Sequence, residues 1–451
     1  MSSTSNTHLD QVNQAEPALN NSPIAYGLGS FGLEAAFKVF AGYYVFFYVD
    51  MLGLAIALAA IINIIYALWD AVNDPLVGYL SDNTRTRWGR RKPWLLTALP
   101  FYVIFLVLIY AVPDGFKGGN LLFWYALVVI FLFETVNTIV STNYEALFPE
   151  LFQGFKERTR ASAYNQGFGM VGELVGFALT PIIYSQFGFV PTAVFFALMA
   201  GILVFSSMMR NREDPNAQNA PPLDLKGAFG DVLHDRPFWQ FTIVATLLWF
   251  TTGVYTLGIP FWTKYTLQAS PQAPSIIFAT VFLVAIVSVS LWSRLVRRWG
   301  TKQTWLWAIA VFIISAIVIV FTSNMVVGVI GAALAGVGLG GVKVCREMIL
   351  ANLVDRSTER TGRRQEGVYY GLNRFIGRLS KILESLALIL LGVMFGYVSG
   401  EQPGPDPGNA FRFLIGVFPL VCMVIAWVLA RRLRLEETQQ RIKKGTNFTS
   451  D

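Results

Sequence analysis

Two acidic residues inside an apolar segment are the side chains of this sequence with the clearest chemical potential. Asp70 and Asp74 lie four residues apart in a stretch, 54–80, that is otherwise largely apolar. On a helix this spacing puts both carboxylates on one face, about 6 Å apart. A charge near the centre of a bilayer costs at least ~2.5 kcal/mol, so such a pair indicates a function. The alternative is that both aspartates only pair with a nearby arginine or lysine.

Other charged side chains also lie within apolar segments. Glu34 and Lys38 are one helical turn apart, and Arg374, Arg378 and Lys381 form a narrow basic stripe. A further set shares one helical face, because its members recur at intervals of three and four residues. That set is Glu134, Thr138, Ser141 and Glu145. Charges in a membrane are least costly around a water-filled cavity, so the sequence predicts one between helices.

The basic stripe has two interpretations. Arginine presents a planar fork that suits an anionic group on a substrate, such as a uronate, sulfate or phosphate. In the other interpretation, Arg374 and Lys381 pair across the cavity with carboxylates of Glu34, Glu134 or Glu145 and act as a gate. The sequence leaves both open.

The composition indicates a membrane protein. The chain has 451 residues, of which 54% are hydrophobic and 14% charged, whereas soluble domains carry about 25% charged residues. Apolar runs of about 20 residues predict twelve transmembrane helices. They are placed at 24–49, 54–80, 94–113, 121–148, 162–184, 189–209, 238–266, 274–293, 303–323, 324–345, 366–397 and 410–430.

Basic residues predict the orientation of these helices. Of 35 Lys and Arg, 27 lie in segments that share one side of the twelve-helix topology. The other side has Lys117, Lys264 and Arg412. This asymmetry predicts that both termini are cytoplasmic. The net charge of +7 is therefore a topology signal, and no nucleic-acid partner is expected.

The sequence repeats a unit of six helices. Arg-Trp-Gly follows the second span at 87–89 and the eighth at 298–300, and Glu-Arg-Thr follows the fourth at 157–159 and the tenth at 359–361. Parallel six-helix halves with a substrate held between them describe major facilitator transporters. The alternative is a twelve-helix bundle without a transport role. The predicted organisation is a disordered cytoplasmic tail 1–23, an N-terminal half 24–209, a central cytoplasmic loop 210–237, a C-terminal half 238–430 and a cytoplasmic tail 431–451.

With these motifs the chain resembles the glycoside–pentoside–hexuronide:cation symporters, also known as the sodium:galactoside (melibiose-permease-like) family. The resemblance rests on Tyr-Gly-x-Gly-x-Phe-Gly at 26–32, Trp-Asp-x-x-Asn-Asp-Pro at 69–75 and the basic loop 87–94, and it covers 24–430. It implies an all-α membrane protein with the major facilitator fold, which carries a glycoside or other sugar-like solute, neutral or acidic, by alternating access. Sodium or a proton would drive this symport.

The resemblance also leaves alternatives. Vertebrate sodium-coupled lysolipid transporters belong to the same branch, so a cation-coupled carrier of lysolipids or other amphiphiles is the second interpretation. A non-transporting membrane sensor or a membrane-embedded enzyme is a remote third. The sequence has no soluble catalytic or signalling domain and no nucleophile–base pair, so no enzyme activity is expected.

Position by position, the resemblance implies the site residues. The cation site would comprise Asp70, Asn73, Asp74 and Thr138, with the two carboxylates as the Na⁺ ligands. Substrate contacts would fall on Glu34 and Ser141, where the family has aspartates. They would also fall on Gln166, where the family has an arginine, on Arg378, where it has a lysine, and on Lys343, where it has an aromatic residue. Tyr26, Glu145 and Arg374 complete the predicted substrate set. Asp82, Arg90 and Arg91 would form a cytoplasmic gate, with topological positive charge as the alternative.

No resident cofactor is expected. The two cysteines, Cys345 and Cys422, lie in or beside different spans, and both histidines, His8 and His234, lie in polar stretches. The expected partners are a small-molecule substrate, a co-transported monovalent cation (Na⁺ or H⁺) and the lipid bilayer. We expect a monomeric, multi-pass protein, and the polar N-terminal 22 residues without a signal peptide suit a bacterial inner membrane.

Overall fold

The computed structural model describes residues 21–117, 119–152, 155–213, 232–361, 366–400 and 403–433. Residues 1–20 and 434–451 of the predicted tails, and 214–231 of the predicted central loop, lie outside the described residues. Within the described ranges the regular structure is helical, with one isolated bridge between Thr86 and Gly89 and no named strand.

Twelve long helices make up the described chain, as predicted. Three of them contain a π-helical turn: α1 and α7 continue into Phe47–Met51 and Trp262–Thr266, and α12 includes Phe413–Val417. The helices are α1 Pro23–Phe46, α2 Ile56–Asp82, α3 Lys92–Tyr110, α4 Gly119–Leu151, α5 Phe155–Phe187, α6 Phe189–Arg210, α7 Arg236–Phe261, α8 Ala273–Trp299, α9 Thr301–Val320, α10 Met325–Thr361, α11 Glu366–Phe395 and α12 Pro407–Arg432.

Several helices are longer than the apolar runs that predicted them. Helix α5 begins at residue 155 where the prediction began at 162, and α10 continues to residue 361 where the prediction ended at 345. Hydropathy marks the part of a helix that faces lipid. Backbone hydrogen bonding continues past that boundary when the next turns are amphipathic and hold no helix breaker.

Ten of these helices are long and apolar enough to cross a membrane. Helices α1 and α11 are not among them. Helix α11 is too polar because it carries Arg374, Arg378, Lys381 and Glu384. Both α1 and α11 nevertheless pack along spanning neighbours, α1 on α5 and α6, and α11 on α2 and α7. Large apolar side chains such as Val287 and Phe321 are 76% and 79% exposed, as lipid contact requires. The chain is an integral, multi-pass membrane protein.

The helix packing confirms the six-helix repeat. In the N-terminal half α1 packs on α5 and α6, α3 packs on α4 and α6, and α2 packs on α4. The C-terminal half has the same pairs: α7 with α11 and α12, α9 with α10 and α12, and α8 with α10. The glycines of the two Arg-Trp-Gly motifs share a conformation, with φ of +107° at Gly89 and +81° at Gly300. Only glycine adopts this region readily, which explains the repeated motif.

The two halves meet along two pairs of helices. Helix α2 packs against α11 and α5 packs against α8, with a further contact between α1 and α7. Side chains on these helices therefore face the other half, and Asp70, Asp74 and Arg378 lie on the α2–α11 pair.

Candidate functional site

A cavity of about 560 Å³ lies between the two halves. Helices α1, α2 and α5 of the N-terminal half and α7 to α11 of the C-terminal half line it. One part of its wall is aromatic, with Phe177, Phe278, Phe282 and Trp249. Its charged lining is predominantly basic: Lys38, Lys343, Arg346, Arg374, Arg378 and Lys381 against Glu173 and Glu384.

The cavity is closed at the end where α1 and α7 finish. The carboxylate of Asp50 is 3% exposed and accepts hydrogen bonds from Lys264 Nζ at 2.6 Å and from the hydroxyl of Tyr265. Asp50 belongs to the π-helical turn of α1, and its two partners belong to the equivalent turn of α7. Such turns are frequent at functional sites. This contact between the halves was not predicted from the sequence, which used Lys264 only for orientation.

Aromatic packing completes the closed end. The ring of Phe177 on α5 stacks on Phe278 and Phe282 of α8, with centroids 4.7 and 5.3 Å apart. The hydroxyl of Tyr184 donates to the carbonyl of Pro271 at 3.2 Å. These contacts join α5 of one half to α8, and to the turn before it, in the other.

The opposite end is accessible. There Glu145 of α4 and Arg374 of α11 reach across between the halves at 2.9 Å, with side chains 60% and 64% exposed. A methyl group added at Gly167 or Gly371 would meet no atom within 4 Å. The cavity is therefore reached from the end that carries the basic loops and the first and last described residues, Asn21 and Leu433. For Arg374 the predicted pairing across the interface is what the structure shows.

The structure brings the predicted cation-site residues together where α2 packs on α4. Asp70 and Asn73 are buried, with 9% and 2% exposure. The hydroxyl of Thr138 donates to Asp70 Oδ1 at 3.4 Å. Among the described residues no partner accepts a hydrogen bond from Asn73 Nδ2. Two carboxylates, an amide and a hydroxyl are a ligand set that suits a hard monovalent cation.

Arg378 of the other half bridges the two aspartates. Its Nη1 lies 3.2 Å from Asp70 Oδ1 and also donates to the Asp70 carbonyl, while its Nη2 pairs with Asp74 Oδ2. The guanidinium is 20% exposed and the two carboxylates 12% and 30%. The alternative interpretation of these aspartates was that they pair with an arginine or lysine. Such a pair is present in this conformation. The described residues contain no group of three His, Cys, Asp or Glu that could hold a metal ion.

Three of the predicted substrate residues line the cavity: Lys343, Arg374 and Arg378. The structure corrects the prediction for Tyr26, which is 2% exposed and stacked on Tyr144 with ring centroids 4.6 Å apart. Its hydroxyl donates to the Tyr144 carbonyl at 2.7 Å. Tyr26 therefore holds α1 against α4, because its position on α1 turns it into the half and away from the cavity.

Other members of the predicted substrate set lie outside the cavity lining. Glu34 pairs with Lys38 at 3.1 Å, and Ser141 donates to the Thr138 carbonyl at 3.5 Å. Gln166 is exposed on α5, and Glu145 lies at the accessible mouth. The family pattern identified their helices, but the rotation of each helix decides which residue reaches the cavity.

The predicted gating residues form one cluster, but inside the N-terminal half. Arg90 pairs with Glu150 at 2.6 Å and lies 3.7 Å from Asp82, which also pairs with Arg91. The Glu213 carboxylate accepts from the backbone N–H groups of residues 90, 91 and 92 at 2.7, 3.2 and 2.6 Å. These contacts join the α2–α3 loop to the ends of α4 and α6 and do not reach across the halves, in keeping with the open state of this end.

The sequence reasoning missed Glu173, a carboxylate on α5 that lines the cavity. It accepts a hydrogen bond from Lys343 Nζ at 2.7 Å and lies 3.3 Å from Lys38 Nζ. The rule that singled out Asp70, an acidic residue within an apolar span, applies equally to Glu173 and to Glu384. Lys381 was predicted as part of the basic stripe, and its ammonium donates to the hydroxyl of Tyr66 across the α2–α11 contact.

Comparisons with known proteins agree with this architecture. Residues 25–437 match the model of a family described as MFS/sugar transport protein. The isoprimeverose transporter of Lactiplantibacillus pentosus is 23% identical over 413 residues, which are 88% of this chain and 85% of that protein. The sodium-dependent lysophosphatidylcholine symporter 1 of Gallus gallus is 25% identical over 439 residues, 86% of this chain and 81% of that protein.

A solved structure shares the fold. The nucleoside transporter NupG superposes with a TM-score of 0.69 over 91% of this chain and 99% of its own, at 13% sequence identity. At this identity the likeness shows the fold alone, and it confirms the predicted major facilitator architecture.

Proposed function

Because the chain belongs to the MFS/sugar transport protein family, we propose that it is a cation-coupled secondary symporter of a glycoside or other sugar-like solute. The family and the relatives described above are transporters, not enzymes. A cavity between two pseudo-equivalent halves, closed at one end and accessible at the other, suits alternating access.

One observation carries the proposal for cation coupling. Two carboxylates of one half, the buried Asp70 and the half-buried Asp74, are held by the guanidinium of Arg378, which lines the cavity from the other half. An uncompensated carboxylate pair in the membrane is costly. The aspartates therefore need a positive partner in every state of the carrier. A sodium ion or a proton can take that place when Arg378 leaves.

This exchange gives a physical reason for coupling. While Arg378 pairs with the aspartates, α2 and α11 stay joined and the accessible mouth lies at the basic end. A cation that binds to Asp70 and Asp74, with the Thr138 hydroxyl as a further oxygen ligand, replaces Arg378 as the counter-charge. The α2–α11 contact can then separate without leaving the two carboxylates uncompensated, and Arg378, which lines the cavity, is left to the water there. The transition between the two states thereby depends on the cation.

Alternating access also requires that the closed end opens. The Asp50 contacts with Lys264 and Tyr265 must break for this to happen, since they link the ends of α1 and α7. Separation exposes Asp50 to water, where its charge is solvated. We assign this cluster the role of the lock at the closed end.

The orientation and assembly follow from the same features. The basic residues near the accessible end support cytoplasmic termini, so that the open mouth faces the cytoplasm and the Asp50 lock faces outward. The cavity and both helix contacts between halves lie within one chain, which supports a monomer as the transporting unit. We place the protein in a bacterial cell membrane.

The test is uptake into proteoliposomes that contain the purified chain. A panel of radiolabelled mono- and diglycosides is offered under an imposed sodium gradient, an imposed pH gradient or neither. We expect uptake of at least one glycoside that depends on one of the gradients and is lost in Asp74→Asn. Asp114→Asn, which changes an aspartate whose side chain is 94% exposed, serves as the control with unchanged uptake. Uptake by Asp74→Asn at the wild-type rate with intact ion dependence would refute the site.

A second candidate function is supported by the apolar part of the cavity. Phe177, Phe278 and Phe282 form an aromatic surface that faces the basic side chains of α10 and α11. An amphiphile with a charged head and an apolar tail fits such a surface, and one relative is a lysophosphatidylcholine symporter by name. Uptake of a fluorescent lysolipid by the same vesicles, with no uptake of any glycoside, would favour this function.

A further inference from the structure

The charges between α5 and α10 carry an inference that rests on the proposed function. We propose that Glu173 is the internal counter-ion of an anion site on Lys343, and that an anionic group of the transported solute takes the place of Glu173. The anionic group is a carboxylate or a phosphate monoester. The family resemblance places a substrate contact at position 343, but with an aromatic residue there, so it assigns neither an anion site to Lys343 nor a role to Glu173.

The geometry at Glu173 shows an ion pair shared by both halves. The Glu173 carboxylate contacts Lys343 Nζ of α10 at 2.7 Å through Oε2 and Lys38 Nζ of α1 at 3.3 Å through Oε1. Lys38 also contacts Glu34 at 3.1 Å. The four side chains are two cations and two anions, so the cluster is neutral as it stands.

Close helix packing fixes the N-terminal part of this cluster. A Cβ atom at Gly172 would lie 2.5 Å from the Phe31 carbonyl oxygen, and one at Gly176 would lie 2.4 Å from the Ala35 carbonyl oxygen. Helices α1 and α5 can therefore approach closely only because both positions are glycine. The approach holds Lys38 beside Glu173, so Glu173 keeps a cationic partner when Lys343 moves away.

Lys343 is the more exposed member of the pair. Its side chain is 37% exposed, against 18% for Glu173 and 16% for Lys38, and it faces the cavity from the other half. An ammonium has three N–H donors, and Glu173 occupies one of them. The remaining donors can receive an anion from the cavity, and the donor that Glu173 occupies becomes available when the anion displaces Glu173.

The surroundings favour an anion over a neutral group. Six basic and two acidic side chains line the cavity, so most of the charged groups that a solute can contact at its wall are cations. Phe282, whose ring centroid is 6.0 Å from Lys343 Nζ, and its neighbours on the aromatic wall offer a surface for the apolar part of the solute. A solute that joins a sugar or other ring to a carboxylate or phosphate matches both features.

The exchange links solute binding to the movement of the halves. The Glu173–Lys343 pair joins α5 to α10 and thereby the two halves. When the solute anion binds Lys343, Glu173 keeps Lys38 as its cationic partner within its own half, while Glu34, whose side chain is 42% exposed, is solvated by water. The cross-half contact is replaced by a contact through the solute. The solute then moves with the C-terminal half.

Binding can be measured without transport, because Trp249 lines the same cavity. Quenching of tryptophan fluorescence gives the Kd of 4-nitrophenyl β-D-glucuronide and of the neutral 4-nitrophenyl β-D-glucoside, which differ in one carboxylate. Lysophosphatidate is a lipid that carries a phosphate monoester, and its binding is measured by competition with the glucuronide. Measurements use the full chain in detergent.

The two single variants should change the Kd of the glucuronide in opposite directions, and the double variant tests both changes together. In Glu173→Gln the competing carboxylate is gone, so the Kd of the glucuronide falls about tenfold while that of the glucoside is unchanged. In Lys343→Gln the Kd of the glucuronide rises by about tenfold or more, again without change for the glucoside. The double variant removes both charges and keeps the cluster neutral, so it covers the case in which a single variant does not fold. It binds both compounds with similar Kd. Asp114→Asn is the control with wild-type values.

The outcomes separate this inference from the proposed function. Three results would overturn the anion site. These are equal shifts in Kd for glucuronide and glucoside, no shift in the Kd of either anionic probe in Glu173→Gln, and no binding of any anionic probe by the wild type. A shift for lysophosphatidate alone supports the anion site with a lipid head group as the source. Failure of gradient-driven glycoside uptake, with the Kd shifts as expected, would instead refute the proposed sugar symport.

Discussion

Replacement of Arg378 tests the central physical claim, that the guanidinium and the cation compete for Asp70 and Asp74. In Arg378→Gln the two carboxylates lose their internal counter-charge. The variant should bind sodium, or lithium as a substitute, more tightly than the wild type. If Arg378 does not compete with the cation, Arg378→Gln should bind the ion as tightly as the wild type or more weakly.

The magnitude follows from the contact distances. At an effective dielectric constant of about 20, two unit charges roughly 4 Å apart attract each other by about 4 kcal/mol, and Arg378 lies 3.2 Å from Asp70 with a second contact to Asp74. Desolvation and the ordering of a long side chain offset much of this attraction. A net competition of about 1–2 kcal/mol remains, which is about a 5- to 30-fold decrease in the Kd of the ion.

The assay is calorimetric titration of sodium into the purified chain without substrate. Thermal unfolding with increasing sodium gives a second measure, since a ligand stabilises the folded state according to its concentration relative to Kd. Without sodium, Arg378→Gln should unfold at a lower temperature than the wild type, because buried carboxylates lose their partner. Arg374→Gln is the matched control on the same helix, since its partner Glu145 is 60% exposed. A wild-type or weaker sodium affinity in Arg378→Gln would refute the competition.

Three further variants test other parts of the structure. Asp50→Asn removes the charge that Lys264 and Tyr265 contact. A cysteine placed in the cavity should then react faster with a membrane-impermeant thiol reagent from the outer side, and an unchanged rate would contradict the lock. Gly176→Ala should destabilise the fold by about 1–3 kcal/mol, because the added Cβ would lie 2.4 Å from a backbone oxygen. The control is Gly167→Ala on the same helix, where the added Cβ meets nothing within 4 Å, and its unfolding temperature should be unchanged or raised. Glu213→Ala should cost about 0.5–2 kcal/mol, because it removes the carboxylate that caps the start of α3, and a thermal shift no larger than that of a surface control would contradict this role.

The number of helices, the repeat and the unusual acidic pair of Asp70 and Asp74 were accessible from the sequence. Each depends on a local property: a span is an apolar run of about 20 residues, and Asp70 and Asp74 are conspicuous because their neighbours are apolar. The repeated Arg-Trp-Gly motif reflects a turn in which Gly89 and Gly300 both adopt positive φ. Family membership confirms the transporter class that these patterns predicted.

The partners of the charged residues were decided by the tertiary structure. Arg378 meets Asp74 from a position 304 residues away, Lys343 meets Glu173 from 170 residues away, and Lys264 meets Asp50 from 214 residues away. Hydropathy gives the depth of a residue in the membrane but not the rotation of its helix about its axis. Tyr26 shows the same limit, because its motif was recognised although its side chain packs inside the half.

The sequence by itself therefore determined which side chains are chemically unusual and roughly at which depth they lie. Only the packing of one half against the other decided which of them neutralise each other and which face the cavity. The reason is physical: burial cost is a property of each residue, whereas an ion pair needs two atoms within about 4 Å. That distance depends on how twelve helices are rotated and on which end of the bundle is open.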